Sequence, residues 1–359
     1  MLFQRGQHFS ALFQNQFMAV ALANYTDPDN VPKEICEKLA NTLRDPFYRG
    51  AQLVNLFESL AAVVLITVVI AGYGRKLVTH PNIKVLLGIL YLACFLHAVV
   101  YSVSKIYQLR LSFFAIDPCH MFLPRWFYIL THTLIVFANC CMQNVQIVLI
   151  VERCVATVSV DTYETHSRAL GAALATTLLV GTCAEVAAGY QTIVSKMLTT
   201  NSMLATNTMT NTLTVTFIVI FVLCCLSLLL IVSLYCFNSR RKKRKTLTSR
   251  YQTSENVSTS ALLFVISTIE LVTFATYASL MTYIRLTAND DPLLDAYKEA
   301  AYMVPLCTFL IPLGTIIYIE LSKRKRRNDI NFMLMMKSQG HEGWQNYASL
   351  LMHQWKLSK

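Results

Sequence analysis

The chain has 359 residues, of which 55% are hydrophobic and only 14% are charged, and its formal net charge is +11. An average soluble domain carries about 25% charged residues, so this composition argues against a soluble enzyme or binding domain and predicts a membrane protein. Seven spans of about 20 residues with their loops use most of the length, which leaves no room for a second large domain.

Seven apolar segments are long enough to cross a bilayer as helices. Backbone groups in hydrocarbon must satisfy one another, so we predict helices for all seven and an all-α membrane protein, a seven-transmembrane helix bundle. The N-terminal tail would cover residues 1–50, the membrane domain 51–320, and a C-terminal tail with an amphipathic helix 321–359. The predicted spans are 51–73, 85–106, 123–151, 169–190, 213–237, 259–283 and 299–319.

The distribution of Lys and Arg predicts the orientation of the bundle. Basic residues concentrate at 75–84, 240–245 and 323–327, which lie on one side of a seven-span protein. Since such excess marks the cytoplasmic side, we expect the N-terminus outside and the C-terminus in the cytoplasm. Asn24 begins a glycosylation acceptor in the outside tail. Cleavage of a weak signal peptide within the first 23 residues remains open.

The basic run at 240–245 has two interpretations. Such a run can bind nucleic acid, but between two spans we favour contact with the anionic lipids of the inner leaflet and expect no nucleic-acid partner. The same residues can also meet an acidic protein surface.

Cysteine positions predict one disulfide bond. Only Cys36 and Cys119 lie on the expected outside, where the compartment is oxidising, so we predict that they pair; two free thiols are the alternative. The bond would tie the N-terminal tail to the start of the third span. The loop between the fourth and fifth spans contains no cysteine.

The third span carries a polar stripe. His132, Asn139, Gln146 and Arg153 recur every seven residues and therefore share one face of a helix. Polar side chains in a membrane helix avoid lipid, so we expect this face to point into the bundle and the third span to be central. The upper part of the stripe is a candidate ligand site, although for its amides we favour hydrogen bonds to neighbouring helices.

Glu152 and Arg153 lie where the third helix leaves the membrane. Arg153 could pair with Glu152 in one state and with another helix or a cytosolic partner in a second state, which is what a transmembrane switch requires. Anchoring at the interface is the alternative.

Four more polar side chains lie in the outer half or near the middle of other spans: Glu58, His97, Glu185 and Glu270. We count His97, Glu185 and Glu270 with His132 and Asn139 as ligand-site candidates. A buried carboxylate can pair with the amine of a ligand. We expect no Lys or Arg inside the spans to pair with these acids, so at least one of them should be protonated. The two histidines lack further ligands at suitable spacing, so no metal and no cofactor are expected. We see no catalytic motif and predict no enzyme.

Several short motifs resemble one receptor family. They are Asp117-Pro118-Cys119, Glu152-Arg153 with Ala156-Thr157, Ser249-Arg250-Tyr251-Gln252 with Glu255-Asn256, and His80-Pro81-Asn82-Ile83-Lys84. Together they resemble the nematode serpentine chemoreceptors of the class A and B group (Sra superfamily), in particular the alpha/beta class, over nearly the whole chain. The resemblance implies a chemosensory G-protein-coupled receptor at the plasma membrane of sensory neurons, and a coupling role for Glu152 and Arg153.

The chain departs from the broader rhodopsin-like pattern in its last span. That span has Pro305, Pro312 and Tyr318 in place of an Asn-Pro-x-x-Tyr run. We expect the two prolines to kink the helix, and Tyr318 to meet Arg153. Residues 322–336 would form a helix lying on the inner leaflet.

Our functional hypothesis is a receptor that binds a small extracellular chemical and activates a heterotrimeric G protein. The coupling surface would comprise Glu152, Arg153 and Tyr318 with the basic loop at Arg240, Arg241 and Lys242. The alternative is a seven-helix ligand-gated cation channel of the inverted olfactory-receptor type, which predicts an N-terminus inside the cell.

Overall fold

The computed structural model describes residues 31–73, 80–158, 163–193, 210–241, 247–287, 291, 293–335 and 340–356. Over these residues the regular structure is helical and contains no strand. The helices are α1 (Lys33–Arg44), α2 (Pro46–Val68, continued by a π-helical turn, Val69–Tyr73), α3 (Pro81–Phe114), α4 (Arg125–Val158), α5 (Tyr163–Ile193), α6 (Thr210–Arg241), α7 (Leu247–Thr287), α8 (Leu294–Ala300), α9 (Val304–Met335) and α10 (Gly340–Lys356). A 3₁₀ turn, Pro118–Met121, precedes α4.

The seven-helix bundle predicted from the sequence is confirmed. Six helices, namely α2, α3, α4, α5, α7 and α9, contain stretches long and apolar enough to cross a membrane. The described side chains of α6 include a shorter apolar stretch, Cys225–Phe237. These seven helices correspond in order to the seven predicted spans.

Side-chain caps explain why the first two spanning helices begin before the apolar sequence does. The carboxylate of Asp45 accepts hydrogen bonds from the backbone N–H groups of Phe47 and Tyr48, at 2.8 and 3.3 Å, and proline occupies the first helical position. His80 caps α3 in the same way, followed by Pro81. Both combinations satisfy or remove amides that a helix start leaves unpaired.

Two helices share the centre of the bundle. α4 packs against α3, α5, α6 and α7, in agreement with the expected central third span, and α3 packs against α2, α4, α5 and α9. The approach of α3 to α5 is close at Gly171, where an added Cβ would lie 2.4 Å from the Asn82 side-chain oxygen. The second span is thus as central as the third.

The last span differs from its prediction. The sequence placed a helix from residue 299 onward, but the structure ends α8 at Ala300 and begins α9 at Val304. Pro305 therefore lies in the first turn of α9, where its missing N–H costs no hydrogen bond, and only Pro312 lies inside the helix. The segment from residue 322, predicted to form a separate surface helix, continues α9 to Met335, and the separate helix is α10.

Candidate functional site

A disulfide bond fixes one end of the bundle. The structure joins Cys36 of α1 to Cys119 of the 3₁₀ turn, 83 residues apart, as the cysteine positions predict. Cys36 is fully buried and packs with Val31 and Phe122. We call this the disulfide end of the molecule, and the end that carries Arg153 the Arg153 end.

Helix α1 lies over the short helix α8 at the disulfide end. Ala296 of α8 is fully buried and clusters with Ala40 and Leu43 of α1 and with Tyr48 of α2. The disulfide therefore holds a helix whose apolar face covers α8.

Below α8 lies a buried ion pair. The ammonium group of Lys105 on α3 is 2.7 Å from a carboxylate oxygen of Glu299, and the two side chains are 0% and 1% exposed. Lys105 falls inside the second span as the sequence delimits it, so the expectation of no basic partner within the spans is wrong. Burial strengthens the pair electrostatically and makes the loss of either partner costly.

Further donors converge on the Glu299 carboxylate. The Tyr101 hydroxyl donates to Oε1 at 2.8 Å, and the side-chain amide of Asn55 on α2 donates to Oε1 at 3.2 Å and to the Glu299 main-chain oxygen at 3.0 Å. Lys105 also donates to Gln108, which accepts from Gln52 as well. We call Lys105, Tyr101 and Asn55 the carboxylate cradle, because they surround one carboxylate with donors from two helices.

A second polar group, the Tyr302 cluster, consists of His97, Asn139 and Tyr302. The Tyr302 hydroxyl is 3.0 Å from His97 Nε2 and accepts a hydrogen bond from the Asn139 amide at 3.3 Å. The Tyr302 ring stacks on Tyr101 of the cradle, with ring centroids 5.3 Å apart. His97 Nδ1 and Asn139 Oδ1 are buried and have no hydrogen-bond partner among the described residues. Two predicted ligand-site candidates thus meet at a tyrosine that the sequence analysis overlooked.

The other candidates lie elsewhere on the helices. His132 is buried and stacks on Tyr128 one turn away, at 5.3 Å between centroids. Glu270 of α7 is buried, and its Oε1 has no partner among the described residues. Glu185 is exposed on α5 and accepts a hydrogen bond from Asn144 at 3.0 Å, while Glu58 is half-buried on α2.

At the Arg153 end, a buried guanidinium joins two helices. Arg153 Nε and Nη2 donate to the two carboxylate oxygens of Glu152, at 2.5 and 2.7 Å, and Nη1 donates to Asn256 Oδ1 on α7 at 3.0 Å. Arg153 is 2% exposed and Glu152 is fully buried. Because neither charge is solvated by water, each is compensated by the other. We call the three residues the Arg153 latch.

The latch depends on two helices that extend beyond their predicted spans. α4 continues to Val158, and α7 begins at Leu247 rather than at residue 259, which places Asn256 on a regular helix beside Arg153. The predicted pairing of Arg153 with Glu152 is present. The contribution of Asn256 was missed, although it stands in one of the family-like motifs.

Tyr318 takes a different partner from the one expected. Its hydroxyl lies 2.8 Å from the main-chain oxygen and 3.2 Å from the hydroxyl of Ser258 on α7. It contacts α7 two residues after Asn256, and not Arg153. α7 is therefore held from both sides, by α4 through the latch and by α9 through Tyr318.

The basic loop lies largely outside the described residues. Arg240 is exposed near the end of α6, and Arg241 is the last residue of that helix. The Arg241 side chain, Lys242 and the glycosylation acceptor Asn24 are outside the described part of the chain.

Comparisons with known proteins give one consistent result. The family model described as serpentine type 7TM GPCR receptor class ab chemoreceptor matches residues 33–356. Serpentine receptor class beta-17 of Caenorhabditis elegans is 27% identical over 321 residues, covering 86% of this chain and 88% of that relative. Class beta-16 is 23% identical, covering 90% and 96%, and class alpha-39 is 24% identical, covering 85% and 83%, both from the same organism.

Proposed function

We propose that this chain, which belongs to the serpentine seven-transmembrane G-protein-coupled chemoreceptors of class ab, binds a small extracellular chemical at the disulfide end and activates a heterotrimeric G protein at the Arg153 end. The observation that carries the proposal is the Arg153 latch. A buried arginine shared between its own helix and α7 is a contact that can exist in two states, held or released.

The orientation of the bundle in this proposal is supported by chemistry at both ends. Disulfide bonds persist in oxidising compartments, which favours the extracellular side for Cys36 and Cys119. Basic residues at 323–327 lie within the later part of α9, and Arg240 lies near the end of α6, both at the opposite end, where they would meet the anionic inner leaflet. The receptor would then lie in the plasma membrane. By analogy with its family, the cells that carry it would be sensory neurons.

The Tyr302 cluster is the proposed ligand-responsive region. Its two unpartnered buried atoms, His97 Nδ1 and Asn139 Oδ1, are polar groups that a ligand or water could satisfy. The cluster joins α3 and α4 to the connection that leads into α9, so a ligand that changes its hydrogen bonds acts on both helices and on this connection. Glu270 adds a further unpartnered acceptor on α7.

Two helices connect this region to the latch. α4 carries both Asn139 and Arg153, which are separated by about 21 Å of continuous helix. Tyr302 lies two residues before α9 begins, and α9 carries Tyr318, which contacts α7. A shift of either helix would therefore change the position of α7 relative to α4, and release of α7 would open a groove for the G protein.

A chemical panel on cells that express the chain tests the proposal, with second-messenger and membrane-current recordings made in parallel. A second-messenger response to a panel compound supports a receptor, and a current without any G protein supports the channel alternative. For a compound that elicits a response, Arg153→Ala should abolish G-protein activation at equal surface amount. The matched control is Arg110→Ala, which removes an exposed arginine at the other end of the bundle. An unchanged response of Arg153→Ala would refute the assigned role.

A further inference from the structure

We propose that the carboxylate cradle is an anion-binding site occupied by the receptor's own Glu299, and that small carboxylates are the ligand class that competes for it. This inference rests on the proposed receptor function and specifies its ligand chemistry. It places the competed contact at Lys105, Tyr101 and Asn55, none of which was a ligand-site candidate from the sequence.

The cradle is built from donors. Lys105 offers an ammonium group at 2.7 Å, Tyr101 a hydroxyl at 2.8 Å and Asn55 an amide at 3.2 Å, all directed at one carboxylate. All three side chains are buried, so they cannot turn to bulk water if that carboxylate leaves. A buried cation with two neutral donors around it requires an anion, and a carboxylate from another molecule meets the same requirement.

The resident carboxylate belongs to a short helix, α8, which packs against α2 and α7. Glu299 belongs to α8, a short helix that is followed by a non-helical connection at residues 301–303 before α9 begins. Glu299 can therefore withdraw with α8 while α9 keeps its helical hydrogen bonds. Ala296 of α8 belongs to a buried apolar cluster that also contains residues of α1 and α2.

The same geometry disfavours an amine ligand. A competing cation would have to displace Lys105 from Glu299, and Lys105 lies inside the long, central helix α3. Displacing it would require movement of α3 against α1, α2, α4, α5 and α9. Competition with the anion on α8 disturbs less structure than competition with the cation on α3.

Displacement of Glu299 has a route to the rest of the receptor. Tyr302 lies three residues after Glu299, and its hydroxyl contacts both His97 and Asn139. If an exogenous carboxylate frees Glu299, α8 loses its anchor to α3, and the hydrogen bonds of Tyr302 in the connection that follows α8 change with it. The ligand class and the proposed switch are thereby connected through one short segment.

Chemical rescue tests the anion site without any signalling assay. The variant Glu299→Ala removes the resident carboxylate, and the full chain is purified in detergent and unfolded by heat in sodium acetate, in acetamide, or in sodium chloride of equal ionic strength. We expect acetate alone to raise the unfolding temperature, by about 2 °C once its concentration exceeds its dissociation constant about tenfold.

Two variants serve as controls. Glu320→Ala disrupts an exposed pair with Lys323 of the same 2.7 Å length, so acetate should have no specific effect on it. In the double variant Lys105→Met with Glu299→Ala, the cationic donor is gone and the rescue should disappear. An equal effect of acetate, acetamide and chloride, or full rescue of the double variant, would overturn the proposal.

If Glu299→Ala does not fold well enough to purify, its amount at the cell surface is measured with acetate or acetamide in the medium. Acetate should raise that amount at least twofold and acetamide should not; equal effects would again overturn the proposal. None of these readouts uses a G protein. A failed rescue with intact signalling refutes only the anion site, and a successful rescue without signalling refutes only the proposed function.

Discussion

Replacing Asn256 by alanine should release the Arg153 latch and raise signalling in the absence of ligand. The substitution removes the acceptor that lies 3.0 Å from Arg153 Nη1, while the two hydrogen bonds from Arg153 to Glu152 remain. A buried hydrogen bond to a charged group contributes about 1.5–3 kcal/mol, which corresponds to a shift of roughly 10–150-fold toward the released state. A receptor that is active in about 1% of molecules at rest would then be active in about 10% or more.

The assay is ligand-independent G-protein activation at matched surface amounts. Asn144→Ala is the control, because it removes a side chain of the same size from α4 together with hydrogen bonds to Thr182 and Glu185 on α5. We expect a rise for Asn256→Ala and none for the control. Basal activity of folded Asn256→Ala equal to that of the wild type would mean that this contact does not restrain α7.

Three further outcomes test the fold. Cys36→Ser should lower the free energy of unfolding by about 2–4 kcal/mol, seen as a lower unfolding temperature that the exposed free cysteine variant Cys183→Ser does not share. Gly171→Ala should lower the free energy of unfolding by about 1–3 kcal/mol, because the new Cβ would lie 2.4 Å from the side-chain oxygen of Asn82 on α3. Gly181→Ala, where the added Cβ meets no atom within 4 Å, is the control in the same unfolding measurement. Glycosidase treatment of intact cells should shift the wild type on a gel but not Asn24→Gln; a shift would exclude an N-terminus inside the cell, and no shift would contradict the predicted glycosylation of Asn24.

Features that depend on local sequence were predictable. The apolar length of the spans and the adjacency of Glu152 and Arg153 can be read from neighbouring residues, and the scarcity of cysteines outside the spans pointed to the pairing of Cys36 with Cys119. The helix ends were predicted less well, because polar residues that continue a helix beyond the membrane do not count as apolar. α7 is the example, since its polar beginning carries Asn256 to the latch.

Contacts between distant residues were not predictable from one sequence. Lys105 and Glu299 are 194 residues apart, and hydropathy carries no information about which distant residue a charge will meet. The same limit explains Tyr302, whose partners His97 and Asn139 lie on two other helices. Tyr318 was expected at Arg153 because both lie near the same end of the bundle, yet depth alone does not determine which neighbouring helix a side chain faces.

The buried ion pair has a consequence for how the chain is made. Ribosomes add about 5–20 residues per second, so Lys105 enters the bilayer roughly 10–40 seconds before Glu299 is synthesised. A lone ammonium group in a membrane helix costs several kcal/mol. Gln108, on the same helix, accepts a hydrogen bond from Lys105 and another from Gln52 on α2. The first two spans can therefore form a helical hairpin that hydrogen-bonds the Lys105 ammonium group during biogenesis, until Glu299 is inserted and pairs with it.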